Sequence, residues 1–214
     1  MRGSALGPRC SGGIGFVARA GSPGAWLPPS PRSPSPLLDI GTNHRHTVGM
    51  PTKIGTYDVM QESVERLHGS GLLLVSGTNG NPMTIGWGVI GPIWGRPIFQ
   101  VLVRPSRHSF TLLESLGEFT VCIPTDEQKG ACGTCGSRSG RDIDKIEACG
   151  LTLAPSEHLQ VPYIAESSAH YECRVVHVND VVNATLSSKI LAERYPQGDL
   201  HRIYYGEIQA VYRH

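Results

Sequence analysis

No apolar run in this 214-residue chain approaches the ~20 residues that a bilayer-spanning helix needs, so no membrane partner is expected. Charge is also scarce. Only 17% of residues are charged and the formal net charge is +1, with no basic block of the kind that coats nucleic acid. Small molecules and proteins are therefore the expected partners. The six cysteines, at positions 10, 122, 132, 135, 149 and 173, are too sparse and irregular for a disulfide framework. Several lie in apolar segments, which fits reduced thiols and a cytoplasmic location. The sequon Asn183-Ala184-Thr185 then reads as incidental. A βαβ rhythm is missing too, which argues against a doubly wound parallel sheet.

The first 49 residues are a different material from the rest. They are crowded with Gly, Pro and Ser, as in Pro28-Pro29-Ser30-Pro31, and their only acidic residue is Asp39. Such a stretch buries too little apolar surface to offset its ordering, so disorder is expected. Its Arg-rich, acid-poor character faintly resembles a transit peptide, without the apolar core of a secretory signal. A misassigned start is the favoured reading, with Met50 opening the domain at 50–214. His44 and His46 alternate but lack further ligands, and no metal site is expected.

From Tyr57 onward the pattern is regular. Asp58 is placed to cap a helix with Val59, Val64 and Leu67 on one side, ending at His68-Gly69. Gly71 to Ser76 reads as a buried strand, Gly77 to Pro82 as a turn with an Asn-Gly hairpin signal, and Met83 to Ile90 as the next strand. Further strands are expected over Glu118 to Ile123, His170 to Val178 and Ile203 to Tyr212, with a short helix near Asp142 to Cys149. Strands dominate and helices are few and short. The fold class is therefore mainly β with short helices (α+β), a small antiparallel barrel.

Three segments carry candidate chemistry. The first is a strand, Ile98 to Val103, that gives way to Arg104-Pro105-Ser106-Arg107-His108-Ser109 and then to helical spacing through Phe110, Leu113 and Leu116, stopped at Gly117. Ser106 is the natural N-cap. Free N–H groups, the positive dipole end and two guanidiniums converge there, which makes a seat for a phosphate. A lone Arg-x-x-Arg more often marks solvated charges on a turn, so the neighbouring segments matter.

The second segment, Gly86-Trp87-Gly88-Val89-Ile90-Gly91, spells a dinucleotide fingerprint, but Pro92 and Pro97 follow where a helix should begin. That match is a decoy. Met83, Thr84, Ile85, Gly86 and Trp87 instead offer backbone groups, a hydroxyl and a large aromatic at a place where glycine lets a flat ring approach. A plain core strand with a buried Trp is the competing reading. The third segment runs from Cys132 to Lys145. Cys132-x-x-Cys135 lacks the second pair a zinc ribbon needs and the βαβ surroundings of a thioredoxin motif. A glycine-rich bend offering backbone and hydroxyl contacts is expected, against the alternative of a mobile loop.

In this order, these segments resemble the flavin reductase-like family with the FMN-binding split barrel, closest to its flavoredoxin-like branch. The resemblance rests on Met83 to Gly88, Val103 to Ser109, Gly117 to Val121, Cys135-Gly136 through Lys145, and Gly198-Asp199-Leu200-His201 leading to Tyr205-Gly206-Glu207-Ile208. It implies an antiparallel split β-barrel holding FMN at a homodimer interface. In it, Met83 to Trp87 would line the flavin ring and Arg104, Pro105, Ser106, Arg107, His108 and Ser109 would form the seat of the ribityl phosphate. Cys135, Gly136, Ser137, Ser139, Gly140 and Lys145 would close over the tail. The family's substrate-side histidine carries over to His201, in a motif here interrupted by Leu200. An NAD(P)H-dependent flavin reductase is implied, with a reduced nicotinamide as co-substrate. The alternatives are an electron-transfer flavoprotein fed by a redox partner protein, or a flavin-linked thiol-disulfide reductase using Cys132 and Cys135.

Overall fold

The structure, a computed structural model, describes residues 50–214; the expectations for residues 1–49, including His44, His46 and Cys10, lie outside them. In chain order the elements are β1 (Thr52–Lys53), α1 (Met60–His68), β2 (Leu72–Ser76), β3 (Asn81–Ile85), β4 (Gly88–Ile93), β5 (Arg96–Val103), α2 (His108–Leu116) and β6 (Glu118–Ile123). There follow α3 (Lys129–Ser137), α4 (Lys145–Cys149), β7 (Leu153–Ala154), β8 (Tyr163–Ile164), β9 (Ala169–Asp180), α5 (Ser188–Arg194) and β10 (Arg202–Arg213). Among the described residues, no helix is long and apolar enough to cross a membrane.

One antiparallel sheet runs in the order β3-β2-β6-β9-β10-β5-β4, with β1 added to β10. Its two outer strands, β3 and β4, are consecutive in the chain and joined only by Gly86 and Trp87. The sheet must therefore curl until its edges meet at that link. No ladder joins β3 to β4, so the barrel stays split there. Register shifts between Tyr205/Gly206 and Ile208/Ala210 mark irregularities in the β9–β10 ladder, the kind of feature that helps a sheet curl.

Strand β2 explains its own composition. Leu72 and Leu74 face the interior of the curl with Phe99, Val121, Tyr171 and Tyr204. Leu73 and Val75 face outward into a second cluster with Cys122, Cys132, Cys135, Val161 and Ile164. A strand covered on both faces needs no polar alternation, and GLLLVS has none.

Five local expectations change. Helix α1 buries Ser63 and Leu67, with Val59 buried at its N-cap, while Val64 is 53% exposed, because five residues from Val59 is about 140° around the helix. Asp58 accepts the Gly55 N–H at 2.8 Å instead of capping α1. The run Met83 to Ile90 is two strands, not one. The stretch expected as a bend is helix α3 over Lys129–Ser137, its glycines outweighed by burial of Cys132 and Cys135 and by a 2.6 Å hydrogen bond from Thr84 Oγ1 to the Cys132 carbonyl. The short helix contracts to α4, where Asp144 accepts the Ile146 and Glu147 N–H groups and Gly150 closes the end at φ 60°.

Candidate functional site

Strand β5 delivers its C-terminal end to the opening left by the Gly86-Trp87 link, and two adjoining cavities form there. The first, about 220 Å3, is lined by Met83, Thr84, Ile85, Gly86 and Trp87 on one side and by Leu102, Arg104, Arg107 and His201 on the other. The second, about 290 Å3, lies against the start of α2, with Ser106, Arg107, His108 and Ser109 facing Cys135, Ser139, Gly140 and Lys145. Met83 and Arg107 belong to both linings. Segments more than 100 residues apart in sequence thus share one channel. Pro105, Gly136 and Ser137 lie outside both linings. Ser137 Oγ donates instead to the Gly133 carbonyl inside α3, at 2.8 Å.

The second cavity is built for an anion. Arg107, Arg138, Arg141 and Lys145 line it against one carboxylate, Asp142. Arg107 keeps its guanidinium nearly free, with a single long contact of 3.4 Å to the Gly136 carbonyl. Arg141, which sequence reasoning missed, donates to the Ser106 carbonyl at 3.0 Å. Lys145 is buried and donates to the Pro82 and Cys135 carbonyls at 2.9 and 3.1 Å, which leaves one donor of its three. Its burial lowers its pKa, and burial followed by the Arg141 and Lys145 charges lowers that of His108. Asn81, also missed, donates to Ser109 Oγ at 2.9 Å, which leaves that hydroxyl proton for another acceptor. A Cβ at Gly140 would run into the Asn81 side chain and lie 3.2 Å from His108 Cδ2, so the cavity wall needs glycine there.

Ser106 is not the cap that its position suggests. Arg107 stands at the N-cap of α2 with no side-chain cap, which leaves first-turn N–H groups for a bound anion. The Ser106 hydroxyl and N–H are turned to the Asp199 carboxylate, at 2.6 and 3.3 Å. Arg104 is committed in the same direction. Its guanidinium donates to the carbonyls of Arg194 at 2.9 Å and Asp199 at 3.1 Å and lies 4.9 Å over the Tyr195 ring. These contacts strap the segment from Arg194 to His201 onto the cavity rim. Gly198 and Asp199, at φ 78° and 55°, turn that strap, and the additional Leu200 leaves His201 in the lining of the first cavity.

His201 is buried, with Nδ1 2.8 Å from the Tyr195 hydroxyl and its ring 5.1 Å from that of Trp87. Burial, then the Arg104 charge, pushes its pKa down to about 4, so the ring is neutral near pH 7. The thiols behave oppositely to reactive ones. Cys132 and Cys135 lie on the buried side of α3, and burial raises both pKa values, that of Cys135 to about 12.

A family model for the flavin reductase like domain matches residues 66–214. This chain belongs to the flavin reductase-like family. An uncharacterized protein of Archaeoglobus fulgidus is 36% identical over 115 residues, which is 53% of this chain and 64% of that relative's length. Among solved structures, the flavoredoxin of Desulfovibrio vulgaris (Miyazaki F) superposes with a TM-score of 0.54 at 20% identity, over 83% of this chain and 77% of its own. The FMN-binding domain of a flavin reductases-like enzyme from Shewanella baltica gives 0.55 at 18% identity, over 76% of each chain. At such identities the structural likeness establishes the fold, an antiparallel split barrel, and the family membership comes from the sequence match.

Proposed function

We propose that this chain binds FMN and acts as an NAD(P)H-dependent flavin reductase. One observation carries the reading: a cleft walled by Met83 to Trp87 adjoins, through Met83 and Arg107, a cavity rich in cations. A planar ring with a phosphate on a short polar chain matches that sequence of environments. Arg107, Arg141, the Lys145 ammonium and the first-turn N–H groups of α2 would hold the phosphate, with Ser109 and Ser139 supplying hydroxyls. Arg104 contributes by fixing the strap rather than by direct contact.

Bound flavin supplies the two-electron redox chemistry. The protein orients and excludes. Thr84 is fixed through its hydroxyl to the Cys132 carbonyl, so the β3 edge beside the cleft is rigid. Trp87, 40% exposed, and His201 border the side from which a nicotinamide would approach. The protein is further proposed to work as a homodimer, with the electron acceptor a small molecule or a partner protein. A carrier fed only by another flavoprotein is the second reading, in keeping with the likeness to flavoredoxin. The buried, high-pKa thiols give no support to a thiol-disulfide reductase.

Titrating FMN into the apoprotein, followed by fluorescence quenching, tests the cofactor assignment; unchanged affinity in both Arg104→Ala and Arg107→Ala would remove it. Rapid mixing of the FMN-loaded protein with NADH and NADPH separates the two readings. Bleaching of the yellow colour supports the reductase, and a colour that persists until a partner protein is added supports the carrier.

A further inference from the structure

Tyr195 is buried at 6% exposure on the strap. Its hydroxyl lies 2.8 Å from His201 Nδ1, and among the described residues it makes no other hydrogen bond. The direction of that bond follows from satisfaction. Were Nδ1–H the donor, the hydroxyl proton would be left in a buried place without an acceptor, at a cost of about 1–3 kcal/mol. With the hydroxyl donating, both atoms are satisfied and the neutral ring must carry its proton on Nε2.

The surroundings hold this arrangement from several sides. Arg104 lies over the Tyr195 ring at 4.9 Å and ties the strap by its carbonyls, while the two rings meet edge to face at 5.5 Å. Arg104 and Arg107 beside the cleft disfavour an imidazolium. Nε2 makes no hydrogen bond with the described residues, in a side chain that lines the first cavity next to Trp87.

We infer that Tyr195 is a positioning residue that locks His201 as a fixed, neutral Nε2–H donor at the open side of the cleft, selecting planar ligands that present a neutral carbonyl oxygen. The inference rests on the cleft being the flavin's substrate side. A nicotinamide carboxamide and the ring carbonyl of a quinone share that chemistry. An anionic carboxylate would gain little more from a neutral donor, whereas a fixed N–H discriminates by direction.

The test uses full-length protein. Nitrogen-15 NMR of the histidine side chains near pH 7 should show His201 protonated on Nε2 alone, and Tyr195→Phe should give a mixture of tautomers while FMN affinity stays within about twofold. In steady state, Tyr195→Phe should raise KM by about three- to tenfold with kcat little changed, the loss of one directed hydrogen bond. His201→Gln, whose amide carries an N–H to about the place of Nε2, should recover more of the KM than His201→Leu does. KM is measured separately for NAD(P)H and for a soluble quinone, and whichever moves names the occupant. An Nδ1-protonated ring in the native protein, or the same tautomer in Tyr195→Phe, overturns the positioning role whether or not flavin binds. A normal tautomer shift with neither KM moved overturns the ligand assignment while leaving the flavin reading intact.

Discussion

Two arginines three residues apart serve different ends. Arg107 points its guanidinium along the channel with little to hold it, whereas Arg104 is spent on backbone carbonyls of the strap. Removing a charge-assisted hydrogen bond of roughly 1.5–3 kcal/mol should make Arg107→Ala bind FMN about ten- to a hundredfold more weakly, measured by fluorescence titration. Arg104→Ala should act mainly through His201 and so raise the nicotinamide KM more than it weakens FMN. A second residue-level effect concerns buried histidines. His201 and His214 have pKa values pushed down to about 4, chiefly by burial, and burial also lowers that of His170. Each folded value lies below the unfolded one near 6.5, so between the two the unfolded chain binds more protons. Their contribution is complete above about pH 6.5 and is lost as pH falls toward 4. Melting followed by circular dichroism should show Tm dropping by on the order of 5 °C between about pH 7 and pH 5. The gathering of Ser106 to Ser109 at one cavity was legible in the sequence because those residues are contiguous, whereas the turn of Arg104 to the strap and the approach of Arg141 were not. The Ser106–Asp199 and Tyr195–His201 bonds were not, since nothing local marks which hydroxyl meets which partner.

Strands were the easier elements to read. The apolar run at 71–76 and the alternation at 203–212 each follow from which faces are covered, and they appear as β2 and β10. Helix α3 escaped because Gly130, Gly133 and Gly136 lower its intrinsic propensity, and only packing against β2 and β3 restores it. The break at Gly86-Trp87 escaped for a different reason: apolar residues run on through Trp87 to Ile90 in the sequence, although Gly86 and Trp87 are exposed and the ladder stops there. Gly206 in β10 is the element's most constrained position. A Cβ there would crowd the Phe119 ring, at 2.7 Å from Cε1, and lie 2.9 Å from Cys173 Cβ. Gly206→Ala should therefore destabilise the fold by about 1–3 kcal/mol in urea unfolding, with the m-value unchanged.

At the largest scale, residues 50–214 form a curled sheet whose candidate channel lies where the curl fails to close. A ligand bridging β3, α2 and α4 ties together elements that the main-chain ladder leaves apart. At a hundredfold excess over Kd, such binding stabilises by about 2.7 kcal/mol, so FMN should raise Tm by roughly 5–10 °C, read by differential scanning fluorimetry with a non-flavin dye. Arg107→Ala should need proportionally more FMN for the same rise. The fold class was readable from the sequence because strand-like segments outnumber helices, but the place of the open seam, between β3 and β4, was not, since the two strands are adjacent in the chain without pairing.

The packing of sulfur has a practical side. Among the described cysteines, Cys122, Cys132, Cys135 and Cys173 are walled in, and only Cys149 is partly reachable. Air and alkylating reagents would meet a surface offering little sulfur from residues 50–214, so purification without a reducing agent should leave this part of the chain unscarred.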